Sequence, residues 1–99
     1  MALKFIETTC TFSEPGILTT QRLDVGGTIY KEQATIVLQG VETGYSDEKE
    51  HNLKLFKVRV TNVRPRDTWI EFDLDFNFLD DGDHVGSATI DLVAIADVE

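Results

Sequence analysis

From Trp69 to Phe78 the chain alternates without a break. Ile70, Phe72, Leu74, Phe76 and Phe78 take the even positions, and Glu71, Asp73, Asp75 and Asn77 the odd ones. Period-two alternation of this length specifies a β-strand with one face in a core and the other wet or paired with charge. The run before it, about Leu53 to Thr61, puts Phe56, Val58 and Val60 on one parity and Lys57 and Arg59 on the other, with Leu53 and Leu55 on the charged parity. Lys54, Lys57, Arg59, Arg64 and Arg66 are five of the nine basic residues, whereas Asp67 to Asp83 holds seven acids and no base. If the two runs form a hairpin through Arg64-Pro65-Arg66, their apolar faces coincide only when paired residue numbers sum to an even value. The same parity sets Lys57 and Arg59 beside Glu71, Asp73 and Asp75, so packing and charge select one register. An odd-numbered partner for Val58 breaks this reading.

Turn residues recur along the rest of the chain at Pro15-Gly16, Gly26-Gly27, Gly44, Pro65 and Gly82. Between them lie short runs rich in Thr, Val, Ile and Phe, and no helical periodicity is present. The pattern predicts an all-β fold, an antiparallel β-sandwich of about six strands in one domain over residues 1–99. Pro15-Gly16 suits a type II turn and Gly26-Gly27 a two-residue hairpin turn. Ala34 to Val41 and Ile90 to Val98 are apolar on both parities, which predicts central strands covered on both faces. A sandwich of 99 residues has only one internal face per sheet. The second face is therefore expected to be covered by another copy of the chain or by an N-terminal segment carrying Phe5, Ile6 and Phe12.

Charge narrows the partners. Eighteen acids against nine bases leave a net −9, which argues against nucleic acid and against docking on anionic membranes. The single cysteine, Cys10, excludes an internal disulfide and a cysteine-based zinc cluster. No signal peptide and no membrane-length apolar run are read in the sequence, so the expected setting is a reducing cytoplasm, or export by a route that does not read the N-terminus.

The densest polar cluster is Leu79-Asp80-Asp81-Gly82-Asp83-His84. Three carboxylates about a glycine offer the hard oxygen ligands of calcium, but the spacing lacks the full calcium-loop pattern and its closing Glu; Asp and Gly are also ordinary turn formers. A second charged loop, Tyr45 to His51, joins two strands. His51 and His84 are the only histidines, too few for a three-His zinc site. Neither Ser46 nor Ser87 sits in a glycine-rich elbow, and no phosphate-cradling loop is present, so the chain reads as non-enzymatic and without a cofactor. Trp69, Tyr45 and Phe78 are the candidate flat surfaces for a ligand.

The stretch from Ala34 to Val98 resembles an H-type lectin domain, the family of snail agglutinins and discoidin C-terminal domains. The resemblance lies in the order of segments: the strand Thr35-Ile36-Val37-Leu38-Gln39-Gly40-Val41, then Asn52-Leu53-Lys54, then Val60-Thr61-Asn62-Val63, then Trp69-Ile70-Glu71-Phe72, and a closing strand from Val85 to Ala96. It implies a six-stranded antiparallel sandwich that forms trimers or hexamers and binds N-acetylgalactosamine-type sugars at loops near subunit boundaries. Lys54 stands where the family has a sugar-contacting arginine, and Phe78 to His84 where it has a Trp followed by His, Asp or Asn. Leu92 takes the place of a closing-strand Trp and Gly86 that of an aromatic. The implied carbohydrate site is Lys54, Asp80, Asp81, Asp83 and His84, in a core of 34–98 preceded by an N-terminal strand segment, 1–29. The competing expectations are an oligomerising assembly module without sugar binding, as in a phage tail or a secreted complex, and a calcium-dependent adhesion domain using Asp80, Asp81 and Asp83.

Overall fold

The computed structural model describes residues 2–44, 53–80, 82 and 84–99, with the side chains of 53 and 54 outside the description. Six strands follow one another: β1 (Ala2–Phe12), β2 (Gly16–Asp24), β3 (Ile29–Gly44), β4 (Leu53–Pro65), β5 (Trp69–Asp80) and β6 (Ser87–Val98). They form two three-stranded antiparallel sheets, ordered β1-β6-β3 and β2-β5-β4. The protein is a small all-β sandwich, as the punctuation and alternation predict.

The two alternating strands sit at the centre of their sheets and build the core. The even residues of β5, Ile70, Phe72, Leu74 and Phe76, are buried against the even residues of β6 from Ala88 to Val98. Phe12, Val25, Ile29 and Ile36 close the perimeter, and the Phe12 and Phe76 rings meet at a centroid distance of 5.1 Å. Full burial of each Phe, Leu or Ile is worth about 1.5–3 kcal/mol.

The β4–β5 register is the one that packing and charge select. Val58 pairs with Phe76, Val60 with Leu74 and Arg59 with Asp75. On the outer face the Lys57 ammonium lies 3.0 Å from Asp75, Arg64 3.6 Å from Asp73 and Arg66 2.7 Å from Glu71. Leu55 falls on the charged parity because it pairs with Leu79, also on the outer face. The even-sum rule ends at a bulge between Thr61 and Arg64, where Asn62 has φ 52°. A matching bulge interrupts β2 between Leu18 and Gln21, with Thr20 at φ 49°. Asp73, on the strand between them, holds both bulges. Its carboxylate accepts the Thr20 backbone N–H at 2.8 Å and the Asn62 amide at 2.7 Å. Left-handed backbone at a β-branched residue is costly, and these bonds offset that cost.

Five expectations need correction. Gly26-Gly27 is a corner between sheets and not a hairpin, since β2 and β3 belong to different sheets; Gly26 takes φ 77° there, and the Val25 N–H donates to the Thr68 carbonyl. Pro15-Gly16 is not a type II turn, because Gly16 lacks the positive φ that turn requires. The hairpin turn lies at 67–68, closed by Arg66 N–H donating to the Trp69 carbonyl, with Arg64 and Pro65 still in β4. The two-faced apolar runs have different fates: Ile90 to Val98 is the central strand of its sheet, but Ala34 to Val41 lies in β3, an edge strand. The N-terminal segment covers neither face. It pairs edge-on with β6 in the same chain, Phe5 opposite Ile95 and Phe12 opposite Ala88. Cys10 is a half-buried strand residue whose thiol pKa is raised by burial.

Candidate functional site

Strict antiparallel alternation brings the last residues of β1, β3 and β5 and the first residues of β2, β4 and β6 to one end of the sandwich. The loop after β5 is closed by backbone pairing. The Asp80 N–H donates to the His84 carbonyl at 3.0 Å, Leu79 bridges Val85, and the Gly86 N–H donates to the Phe78 carbonyl at 2.9 Å. Inside that loop the Asp80 carboxylate, only 4% exposed, accepts the Gly82 N–H at 2.9 Å, the His84 N–H at 2.8 Å and the His84 ring Nδ1 at 3.0 Å. Turn-forming Asp-x-Gly chemistry explains the local fold: a short carboxylate satisfies backbone donors that no ladder reaches. Asp80 is thereby committed to shaping the turn, while the His84 side chain is 70% exposed.

Of the implied carbohydrate residues, the structure thus brings Asp80 and His84 together. Asp81 and Asp83 lie outside the described residues, as does the side chain of Lys54, although its backbone runs in β4 toward this end. The charged loop from Tyr45 to His51 also lies outside them. Among the described residues no three His, Cys, Asp or Glu side chains cluster as a metal site.

Beside this loop opens a shallow cleft of about 480 Å³ across the ends of β1, β6 and β3. Thr11, Ser13, Thr43, Ser87 and Thr89 supply hydroxyls and Glu42 one carboxylate, while the buried Phe12 and Ala88 back the cleft from the core side. Ser87 donates weakly to the Gly44 carbonyl at 3.4 Å. Hydroxyls and a carboxylate gathered in one cleft offer a small polyhydroxylated ligand several donors and acceptors.

The aromatic residues are distributed differently from expectation. Trp69 lies at the opposite end, where β5 begins, and its ring is covered by the Arg22 guanidinium at 3.8 Å; a stacked cation occupies that face. The Phe78 ring lies directly over Gly86, whose missing side chain leaves the space. Phe56 stands edge-on to Phe78 at 5.7 Å and is the large exposed aromatic of the β4–β5 pair at this end. Phe56 and the cleft hydroxyls were missed in the sequence, because Phe56 shares the parity of core valines and the hydroxyls come from three distant strands. Comparisons with protein-family models, with curated proteins and with solved structures yield no match.

Proposed function

We propose that the chain is a non-enzymatic carbohydrate-binding sandwich whose ligand seats at the loop end, in the cleft beside the Asp80–His84 turn. The observation that carries this reading is the hydroxyl-and-carboxylate lining of that cleft. Glu42 accepts from sugar hydroxyls and the hydroxyls of Thr43, Ser87 and Thr89 orient the ring, with the exposed His84 imidazole, held by Asp80, in the neighbouring turn. Lys54, Asp81 and Asp83 remain in this proposal as the charged margin, with N-acetylgalactosamine-type sugars as the first class to test. The test is a glycan array read with and without a calcium chelator, repeated for Glu42→Gln, His84→Ala and Lys54→Ala. Binding that survives chelation and falls in the variants supports the reading; no binding to any glycan rejects it.

A second reading, an assembly module without sugar binding, is favoured by one observation. The outer face of the β1-β6-β3 sheet exposes Leu3, Phe5 and Val37, and among the described residues nothing covers it. The homo-oligomer expected from the sequence belongs to this reading. Light scattering separates its two forms: a concentration-dependent oligomer supports self-assembly, and a concentration-independent monomer leaves the face to a different partner.

A further inference from the structure

On that outer face, antiparallel pairing sets the residues in rows. Phe5, Ile95 and Thr35 form one row, Glu7, Val93 and Val37 the next, and Leu3 lies beside Asp97. Leu3 is 64% exposed, Phe5 63% and Val37 46%, and a groove of about 310 Å³ runs between Leu3, Thr35 and Ile95. Around the apolar rows stand the carboxylates of Glu7, Asp91, Asp97 and Glu42. Among the described residues paired across this face, none is Lys or Arg.

Resting on the second reading above, we propose that this face docks an amphipathic helix of another protein, with an apolar stripe flanked by Lys or Arg. The dimensions fit one helix. Two strand spacings make the face about 10 Å wide, against about 10–12 Å for a helix. The apolar rows run about 13 Å along the strands, the length of roughly nine helical residues.

Charge decides the occupant. A second copy stacked face to face brings four more carboxylates against the first four, in a chain already at −9. Like charges facing one another across an interface oppose docking. The opposite sheet offers a copy limited help, because Lys57, Arg64 and Arg66 are already paired with Asp75, Asp73 and Glu71, leaving the exposed Arg59 to meet four carboxylates. A helix with basic margins meets both requirements at once: its stripe covers Phe5, Ile95, Val93 and Val37, and its cations reach Glu7, Asp91 and Asp97.

The experiment uses three synthetic peptides of about 18 residues, sharing one leucine stripe and flanked by Lys, by Glu or by Gln. Each is titrated into isotope-labelled protein and followed by amide chemical shifts. The lysine peptide is expected to shift residues 3–7, 35–37 and 91–97, and to bind at least about tenfold tighter than the glutamate peptide. Added salt is expected to weaken it. The double variant Glu7→Lys/Asp97→Lys should invert that preference, and Phe5→Ser should abolish binding while leaving the fold intact. Shifts elsewhere, equal affinity for all three peptides, or an unchanged preference in the double variant overturns the proposal. If the chain alone is a stable oligomer that protects Phe5 and Val37, the assembly reading survives and the basic helix falls.

Discussion

Gly86→Ala tests how tightly the loop end is built. A Cβ at this position lies 2.3 Å from Phe78 Cδ1, 2.7 Å from Cε1 and 3.0 Å from the Gly44 carbonyl oxygen. To restore ordinary contact at 3.4 Å, the Phe78 ring must retreat by about 1.1 Å. It cannot do so alone, since it packs edge-on against Phe56 at 5.7 Å and lies 6.5 Å from Phe76 in the core. Overpacking of this kind costs about 1–3 kcal/mol, and loss of the edge-to-face pair adds up to about 1.5 kcal/mol. In a domain of this size each kcal/mol lowers Tm by about 4–8 °C. Urea denaturation of wild type, Gly86→Ala, Phe78→Ala and the double variant isolates the clash. Gly86 has no positive φ, so without the ring only the 3.0 Å approach to the Gly44 carbonyl oxygen remains, and the alanine should cost clearly less than in the wild type. An equal loss in both backgrounds refutes the reasoning, because the ring would then not be what the methyl group meets.

Three further outcomes are expected. Asp73→Asn should weaken the clamp on both bulges and flatten the acid limb of the stability curve. The Asn62 amide and the Thr20 N–H hold the Asp73 carboxyl below the ordinary carboxylate range, and Arg66 does the same for Glu71. Groups depressed in the folded state stabilise it at neutral pH and lose that contribution as pH falls through about 4 and below; urea midpoints from pH 7 to 2 read this, and an unchanged acid limb in the variant counts against the clamp. Asp80→Ala should cost about 1–3 kcal/mol because it strips the turn of its acceptor, whereas His84→Ala should cost under about 1 kcal/mol; equal losses in equilibrium unfolding would contradict the assigned roles. Leu92→Ala in the core should cost about 2–5 kcal/mol, but Val37→Ala on the outer face less than about 0.5 kcal/mol in the monomer. A large Val37 effect that grows with protein concentration would show that copies cover the face.

The legible part of the fold was the part where two signals agreed. Along β4 and β5, alternation and opposite charge point to the same pairing, and Val58 meets Phe76 accordingly. That agreement stops at Asn62, where left-handed backbone shifts the parity; Asn favours that conformation without requiring it. The corner at Gly26 was misread because two glycines favour a tight reversal without saying whether the next strand joins the same sheet. Ala34 to Val41 looked central because its outer residues, Val37 among them, are apolar; the structure puts them on an open face at the sheet edge. At the loop end, Asp80 and His84 stood out by their density, but the division of labour between them depends on depth. The cleft had no local signal at all, since Thr11, Thr43 and Ser87 meet only through sheet pairing.

The place of β6 has a kinetic meaning. It is the last strand in chain order and yet the middle of its sheet, with β1 on one side and β3 on the other. Until it is in hand, β1 and β3 have no ladder partner in their own sheet, and Phe72 and Phe76 have only half a core. Pairings as distant as Ala2 with Val98 impose a long loop closure, the topology that slows folding to milliseconds or longer. During synthesis, then, the earlier strands wait exposed, and the charged side chains along them oppose edge-to-edge pairing.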